Sequence, residues 1–269
     1  MDYREIIHTD VTDLDDIHVG YSPVRTRTPR AARAVMNRTE VQVRPANLIL
    51  NAIPADIRRA LEPSLKTVSL AKEQFLYQEE DRLNYVYFPE TAVISEFKIL
   101  EDGRMVEIAV TGREGAIGLP TLFSDMHRAA NCAQVSQAGT AKRVDAETFE
   151  KLLRSNEKLR SRLSHVLDIY IRQISQKAIC NMYHSVKERL CTWLLMVQDR
   201  CGKTTLNLTH EQVARILGVY RPSITCIAQE LRDAKLINYS RGGIAILDRK
   251  RIEQAACNCY AELGSPVSV

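Results

Sequence analysis

The 269-residue chain lacks any run of the roughly 18–20 apolar residues that a membrane-spanning helix needs. Its opening, MDYREIIHTDVTDLDD, is acidic and has no apolar core, which argues against an export signal and for a cytoplasmic location. There is no glycine-rich G-x-x-x-x-G-K-[ST] loop, no H-E-x-x-H and no G-x-S-x-G, so the sequence carries no signature of an enzyme. No cysteine precedes Cys132, and the seven present are scattered and odd in number. That usage favours reduced thiols over a disulfide framework. Strong charge of one sign is also missing: the net value is only +4.

What is present is unevenly placed. Residues 202–251 hold nine Lys and Arg against four Asp and Glu. A cationic C-terminal module on a nearly neutral body suits an anionic partner. At 45% hydrophobic residues the chain can bury real cores, and its length suits one large or two modest domains.

Four segments follow from the patterning. Residues 1–45, acidic and then Arg-rich, read as a poorly ordered, solvated lead-in. Residues 46–150 begin with short helical turns broken at Pro54 and Pro63. They continue as short β-type runs, LNYVYFPE, TAVISEFKIL, MVEIAVTG and TAKRVDA, separated by EDGR and GREG. Several short strands in so few residues imply a small barrel or jelly roll. From Asp145 the period turns helical with no Pro or Gly, and 151–180 reads as a dimerisation helix. Leu163, Leu167, Tyr170 and Ile174 are spaced four, three and four, a coiled-coil-like seam. A homodimer is the expected assembly.

Residues 181–269 carry the most specific pattern. Thr209 can cap a helix, with Gln212 at the capping-box position. Gly218 stands where that helix must end in a left-handed turn. A second helix from about 221 places Ile224, Ile227, Ala228 and Leu231 on one stripe. LINYSRGGIAILD then gives strand, turn and strand, completing a winged helix-turn-helix. Projection at 100° per residue puts Pro222, Cys226 and Gln229 on the exposed face, with Thr225 beside it and Ser223 nearer its edge. Pro222 belongs to the first turn, where its missing N–H has no intrahelical acceptor. Arg221, Ser223, Thr225 and Gln229 are candidate base or phosphate contacts, and Pro222 can pack on a thymine methyl. Thr209, His210 and Tyr220 are candidate phosphate contacts. The expected partner is double-stranded DNA.

In this order, β-roll, long helix and winged helix-turn-helix, the chain resembles the Crp/Fnr superfamily of bacterial transcription regulators over about residues 47–260. LTHEQVARILGVYRPSIT and the wing carry the resemblance most specifically. It implies an α+β fold with a cyclic-nucleotide-binding-like roll, a homodimer and contact with RNA polymerase. It also implies that Arg128, in RAA, and Glu114 are the residues nearest to an effector site. The departures are informative. Cyclic-AMP-binding members carry a Gly-Glu pair about ten residues before the Arg, where this chain has Ile117-Gly118. A cyclic nucleotide is therefore disfavoured. The N-terminal cysteines of the iron–sulfur members are missing too, and haem is left open. Pro222 and Cys226 replace a common Glu and Arg of the family's recognition helix.

Cys226, exposed beside Arg221 near a helix N-terminus, is a candidate redox-sensitive thiol. Cys257 and Cys259 in AACNCY, with no His near them in sequence, read as structural, and no metal is expected. The rival reading is a roll that binds a cyclic nucleotide or other small effector and a C-terminal module that contacts a protein.

Overall fold

The computed structural model describes residues 47–124, 127–240 and 242–264. The lead-in expected over residues 1–45 lies outside them. Two short helices, α1 (Leu48–Ala52) and α2 (Ala55–Leu61), precede the roll. Asn47 starts α1 by accepting from Leu50 N, and its amide donates to Pro89 O and Gly115 O at 2.9 and 2.8 Å. One buried side chain thus ties three segments together.

The roll is two antiparallel sheets. One has the order β1 (Lys66–Leu70), β7 (Gly139–Asp145), β3 (Tyr85–Pro89). The other has the order β2 (Phe75–Tyr77), β6 (Cys132–Gln137), β4 (Val93–Ile99), β5 (Met105–Thr111). A short helix, α3 (Leu119–Leu122), follows the GREGAIG turn between β5 and β6. The roll core includes Phe88, Ile94, Ile117, Val135 and Phe149, with Phe88 and Phe149 edge to face at 5.5 Å.

Strands β4 and β5 form a ribbon buried on both faces. Ile94 joins the roll core, whereas Val93, Phe97 and Val110 join a second core. The pairing is interrupted once: Glu96 faces Ala109, but Phe97 faces Glu107, leaving Ile108 as an extra residue.

The helix after Asp145 is not continuous. α4 (Ala146–Ser155) stops at Asn156, whose extended backbone and side-chain bond from Leu159 N start α5 (Glu157–Tyr183) afresh. The inward face of α5 is Leu159, Leu163, Val166, Tyr170, Gln173, Lys177 and Cys180, a four-three repeat. This corrects the expected seam. Leu163 is wholly enclosed in the roll core, and Tyr170 lies largely buried beside Glu96. Leu163 cannot form a dimer contact from that position, and Tyr170 keeps only part of its surface free. The outward stripe is instead Leu167, Ile171, Ile174, Ala178 and Met182, with Ile171 60% and Met182 74% exposed.

Helix α6 (Val186–Cys201) opens with a Ser185–Glu188 capping box and closes at Gly202 in the left-handed region. Leu190 to Val197 are all buried, because α6 has the β4–β5 ribbon on one side and the C-terminal module on the other. The module follows as β8 (Thr205–Leu206), α7 (His210–Leu217), α8 (Arg221–Asp233), β9 (Ile237–Ser240), β10 (Gly243–Ile246), α9 (Arg249–Ala255) and α10 (Cys259–Gly264). Strand order β8–β10–β9 makes the expected wing. The second core joins this module to the roll.

Candidate nucleic-acid interface and effector cavities

The sequence dictates the helix-turn-helix locally. Thr209 accepts from Gln212 N at 3.2 Å, and Gln212 Oε1 returns to Thr209 N at 2.9 Å. Gly218 sits at φ 65°, where a side chain is strained, and ends α7. Ile224, Ala228 and Leu231 anchor α8 in the core. Pro222 occupies the first turn as expected. Pro222, Ser223, Thr225, Cys226 and Gln229 are exposed, as are Arg221 and Tyr220 ahead of them. The projected face is therefore the observed one.

The groups on that face are not equally free. Thr225 Oγ1 donates to Arg221 O at 3.2 Å, so the 3.1 Å contact with His210 must use a proton on His210 Nδ1. The His210 ring also stacks on Tyr239, with centroids 4.1 Å apart, and its Nε2 is buried without a partner. Burial, followed by the nearby Arg221, pulls its pKa below the usual histidine value. This residue braces α8 against the wing as a neutral ring, which weakens it as a phosphate ligand. Gln229 donates to Asp233 at 2.7 Å and accepts from Arg232 at 2.6 Å, so its amide is engaged along the helix. Thr209 is occupied by capping. Arg221 makes no ion pair among the described residues, and Tyr220 is 82% exposed. Of the candidate contacts, Arg221, Ser223 and Tyr220 are left free, and Pro222 and Cys226 share their exposed face.

Helix α7 is docked on the roll. Lys72 Nζ donates to Gln212 at 2.9 Å, and Arg215 meets Glu73 at 3.4 Å. Deeper in, the buried Glu107 accepts from Trp193 Nε1 at 2.9 Å and pairs with Lys177 of α5. Three elements therefore meet at one carboxylate.

The two residues that the family resemblance sets nearest to an effector site part company. Glu114 pairs with the buried Arg200 of α6 at 2.8 Å and accepts from Gly112 N at 3.0 Å. It lines a cavity of about 560 Å³ along α5, with Tyr170, Gln173 and Arg200. Arg128 lines another, of about 180 Å³, with Tyr77, Glu80, Glu96 and Asn131, and donates to Glu80 O at 2.8 Å. Glu96 is fully buried there. Desolvation lifts its pKa to about 7, against the lowering effect of the Tyr77 and Tyr170 hydroxyls. A cavity lined by two glutamates and one arginine makes a poor phosphate pocket.

Sequence spacing missed one grouping. Folding brings Cys257 and Cys259 to Cys180 and His184, 73 or more positions earlier in the chain. No signal within either segment points to the other.

Comparison with known proteins supports this architecture. Residues 67–156 match the family described as the cyclic nucleotide-binding domain, and residues 188–255 match the Crp-like helix-turn-helix domain. The chain is 23% identical over 233 residues to the anaerobic regulatory protein of Bacillus subtilis, covering 83% of this chain and 97% of that one. In fold it is similar to FixK2 from Bradyrhizobium japonicum, with a TM-score of 0.61 at 17% identity, over 72% of this chain and 98% of the other. It is also similar to a CRP/FNR-family transcriptional regulator from Thermus thermophilus, with a TM-score of 0.57 at 18% identity, over 71% and 98%.

Proposed function

Because the chain belongs to the Crp/Fnr superfamily of bacterial transcription regulators, we propose that it binds specific DNA sites as a cytoplasmic homodimer. The observation that carries this is the exposed first half of α8, held by the His210–Tyr239 brace, with Arg221 at its N-terminus in no ion pair among the described residues. N-terminal residues of such a helix reach deepest into the major groove. Base choice rests on Arg221 and Ser223, with Pro222 packing on thymine. RNA polymerase is the partner through which a bound regulator acts.

Selection of binding sites from random duplexes tests the reading. A palindromic consensus with half-sites about one helical turn apart supports it, and equal binding to every fragment overturns it. Arg221→Ala should weaken binding by about tenfold or more and flatten the salt dependence by roughly one unit of slope.

The dimer uses the outward stripe of α5. Ile171→Asp should convert a dimer to a monomer in sedimentation, and an unchanged dimer rules that stripe out. Cys226 makes binding redox-sensitive, since an oxidised thiol at this face adds bulk and charge against DNA. If Cys226→Ser leaves peroxide inhibition intact, that role is lost.

No cyclic nucleotide belongs to this reading: Glu80 and Glu96 line the same cavity as Arg128, and Glu114 is held by Arg200. A second reading, a small effector other than a cyclic nucleotide, is favoured by the cavity of about 560 Å³ beside α5.

A further inference from the structure

The last turn of α5 and the junction of α9 and α10 bring four ligand-type side chains together. Cys180 ends the inward face of α5, and His184 is its C-cap. Cys257 lies between α9 and α10, and Cys259 opens α10. One ligand atom from each, three Sγ and a ring nitrogen, lie within 4.8 Å of one another. All three thiols are buried.

The spacing within the group is diagnostic. Cys180 Sγ and Cys257 Sγ are 3.8 Å apart, and Cys259 Sγ is 3.6 Å from His184 Nδ1. A tetrahedral ion with metal–sulfur bonds of about 2.3 Å and metal–nitrogen bonds of about 2.05 Å spaces sulfurs about 3.8 Å apart, and sulfur and nitrogen about 3.6 Å. The two observed separations are the edges of that tetrahedron. A polynuclear iron–sulfur cluster sits between its ligands and spreads them farther than this set allows.

The surroundings suit thiolates. Gln176 Nε2 donates to Cys259 Sγ at 2.8 Å, and the Thr192 hydroxyl lies 3.0 Å from Cys257 Sγ. Such donors hold thiolate ligands in place. Arg189 lies beside Cys180 and Cys257, donates to Asn181 and Leu217 O, and has a buried Nε without a partner.

We propose that Cys180, His184, Cys257 and Cys259 form a binding site for a zinc-class divalent ion, which fastens α5 to the end of the DNA-binding module. Binding displaces three thiol protons to solvent. The ion and three thiolates then carry a net charge of −1, beside the Arg189 guanidinium. The donors span the elbow between α5 and α6, so the ion fixes the angle from which the module leaves the long helix. The metal site itself does not depend on the DNA-binding reading.

Metal analysis of the full chain purified with zinc in the medium tests this. The expected result is one zinc per chain. Cobalt replacement should give the intense visible bands of a tetrahedral ion, with thiolate-to-cobalt charge transfer. Cys259→Ser and His184→Ala should each lower zinc retention about tenfold or more against a chelator. His184→Cys keeps four donors and should keep the zinc, which separates loss of a ligand from loss of the fold. Substoichiometric zinc with no tetrahedral cobalt spectrum overturns the proposal. So does stoichiometric iron with acid-labile sulfide, or zinc retained unchanged in Cys259→Ser.

Discussion

The two faces of the β4–β5 ribbon each bury one glutamate, and they treat it in opposite ways. On the outer face Glu107 meets a lysine from α5 and an indole N–H from α6, so its charge is matched. On the inner face Glu96 meets only hydroxyls, Tyr77 at 3.2 Å and Tyr170 alongside, and its pKa rises to about 7. Burial is equal, since both are within a few per cent of complete enclosure. The difference lies in what is brought to them. The seam between roll and DNA-binding module is built as an ion pair, and the roll interior is built around an acid that can be neutral.

Breaking the outer site should have the largest effect. Glu107→Ala strands the Lys177 ammonium and the Trp193 N–H, and should cost about 3–5 kcal/mol in denaturant unfolding. Adding Lys177→Met should recover part of that loss. A cost below about 1 kcal/mol would show that the pair is not a structural link.

The inner site predicts a pH dependence of stability. A carboxyl whose folded pKa lies above its unfolded value binds its proton more tightly when folded. Stability is then highest below about pH 4.5, falls as pH rises toward 7, and levels off above it. The full change is on the order of 3 kcal/mol, from a shift of about 2.5 units at 1.36 kcal/mol each. Glu96→Gln should remove that slope and leave the protein more stable at pH 8. Thermal melts from pH 5 to 8 that fall equally in both proteins would dismiss the idea.

The smallest effect concerns ligand. Cyclic AMP or cyclic GMP at millimolar concentration should shift the melting temperature by less than about 1 °C, because the Arg128 cavity is lined by Glu80 and Glu96. A clear rise would restore the arginine to a phosphate-binding role.

Local rules made the C-terminal module legible in the sequence. The Thr209–Gln212 box, Gly218, Pro222 in the first turn and the wing all stand where spacing placed them. The roll was legible as a class, but β6 was not named, since CAQVSQ has only one β-branched residue. The seam on α5 was half misread. Leu163, Leu167, Tyr170 and Ile174 satisfy one periodicity, yet the helix is apolar on two sides, and only tertiary packing assigns Leu163 and Tyr170 inward. Glu114 and Arg128 share a stretch of sequence but line different cavities. The cysteine–histidine group was invisible because its halves are joined only by folding.

The unpaired Ile108 has a consequence for charge. Side chains alternate strictly along a strand, so one extra residue exchanges the faces beyond it. In an unbroken ladder Glu107 would stand opposite Lys98, on the same side of the ribbon as Glu96. Two acids would then crowd the interior of the roll, and Lys177 and Trp193 would have nothing to hold. Taking the extra residue up as a bulge, rather than as a rung of the ladder, thus keeps one negative charge in each compartment. Forcing Ile108 into the ladder opposite Phe97 would move a full charge across the sheet without altering any side chain's chemistry.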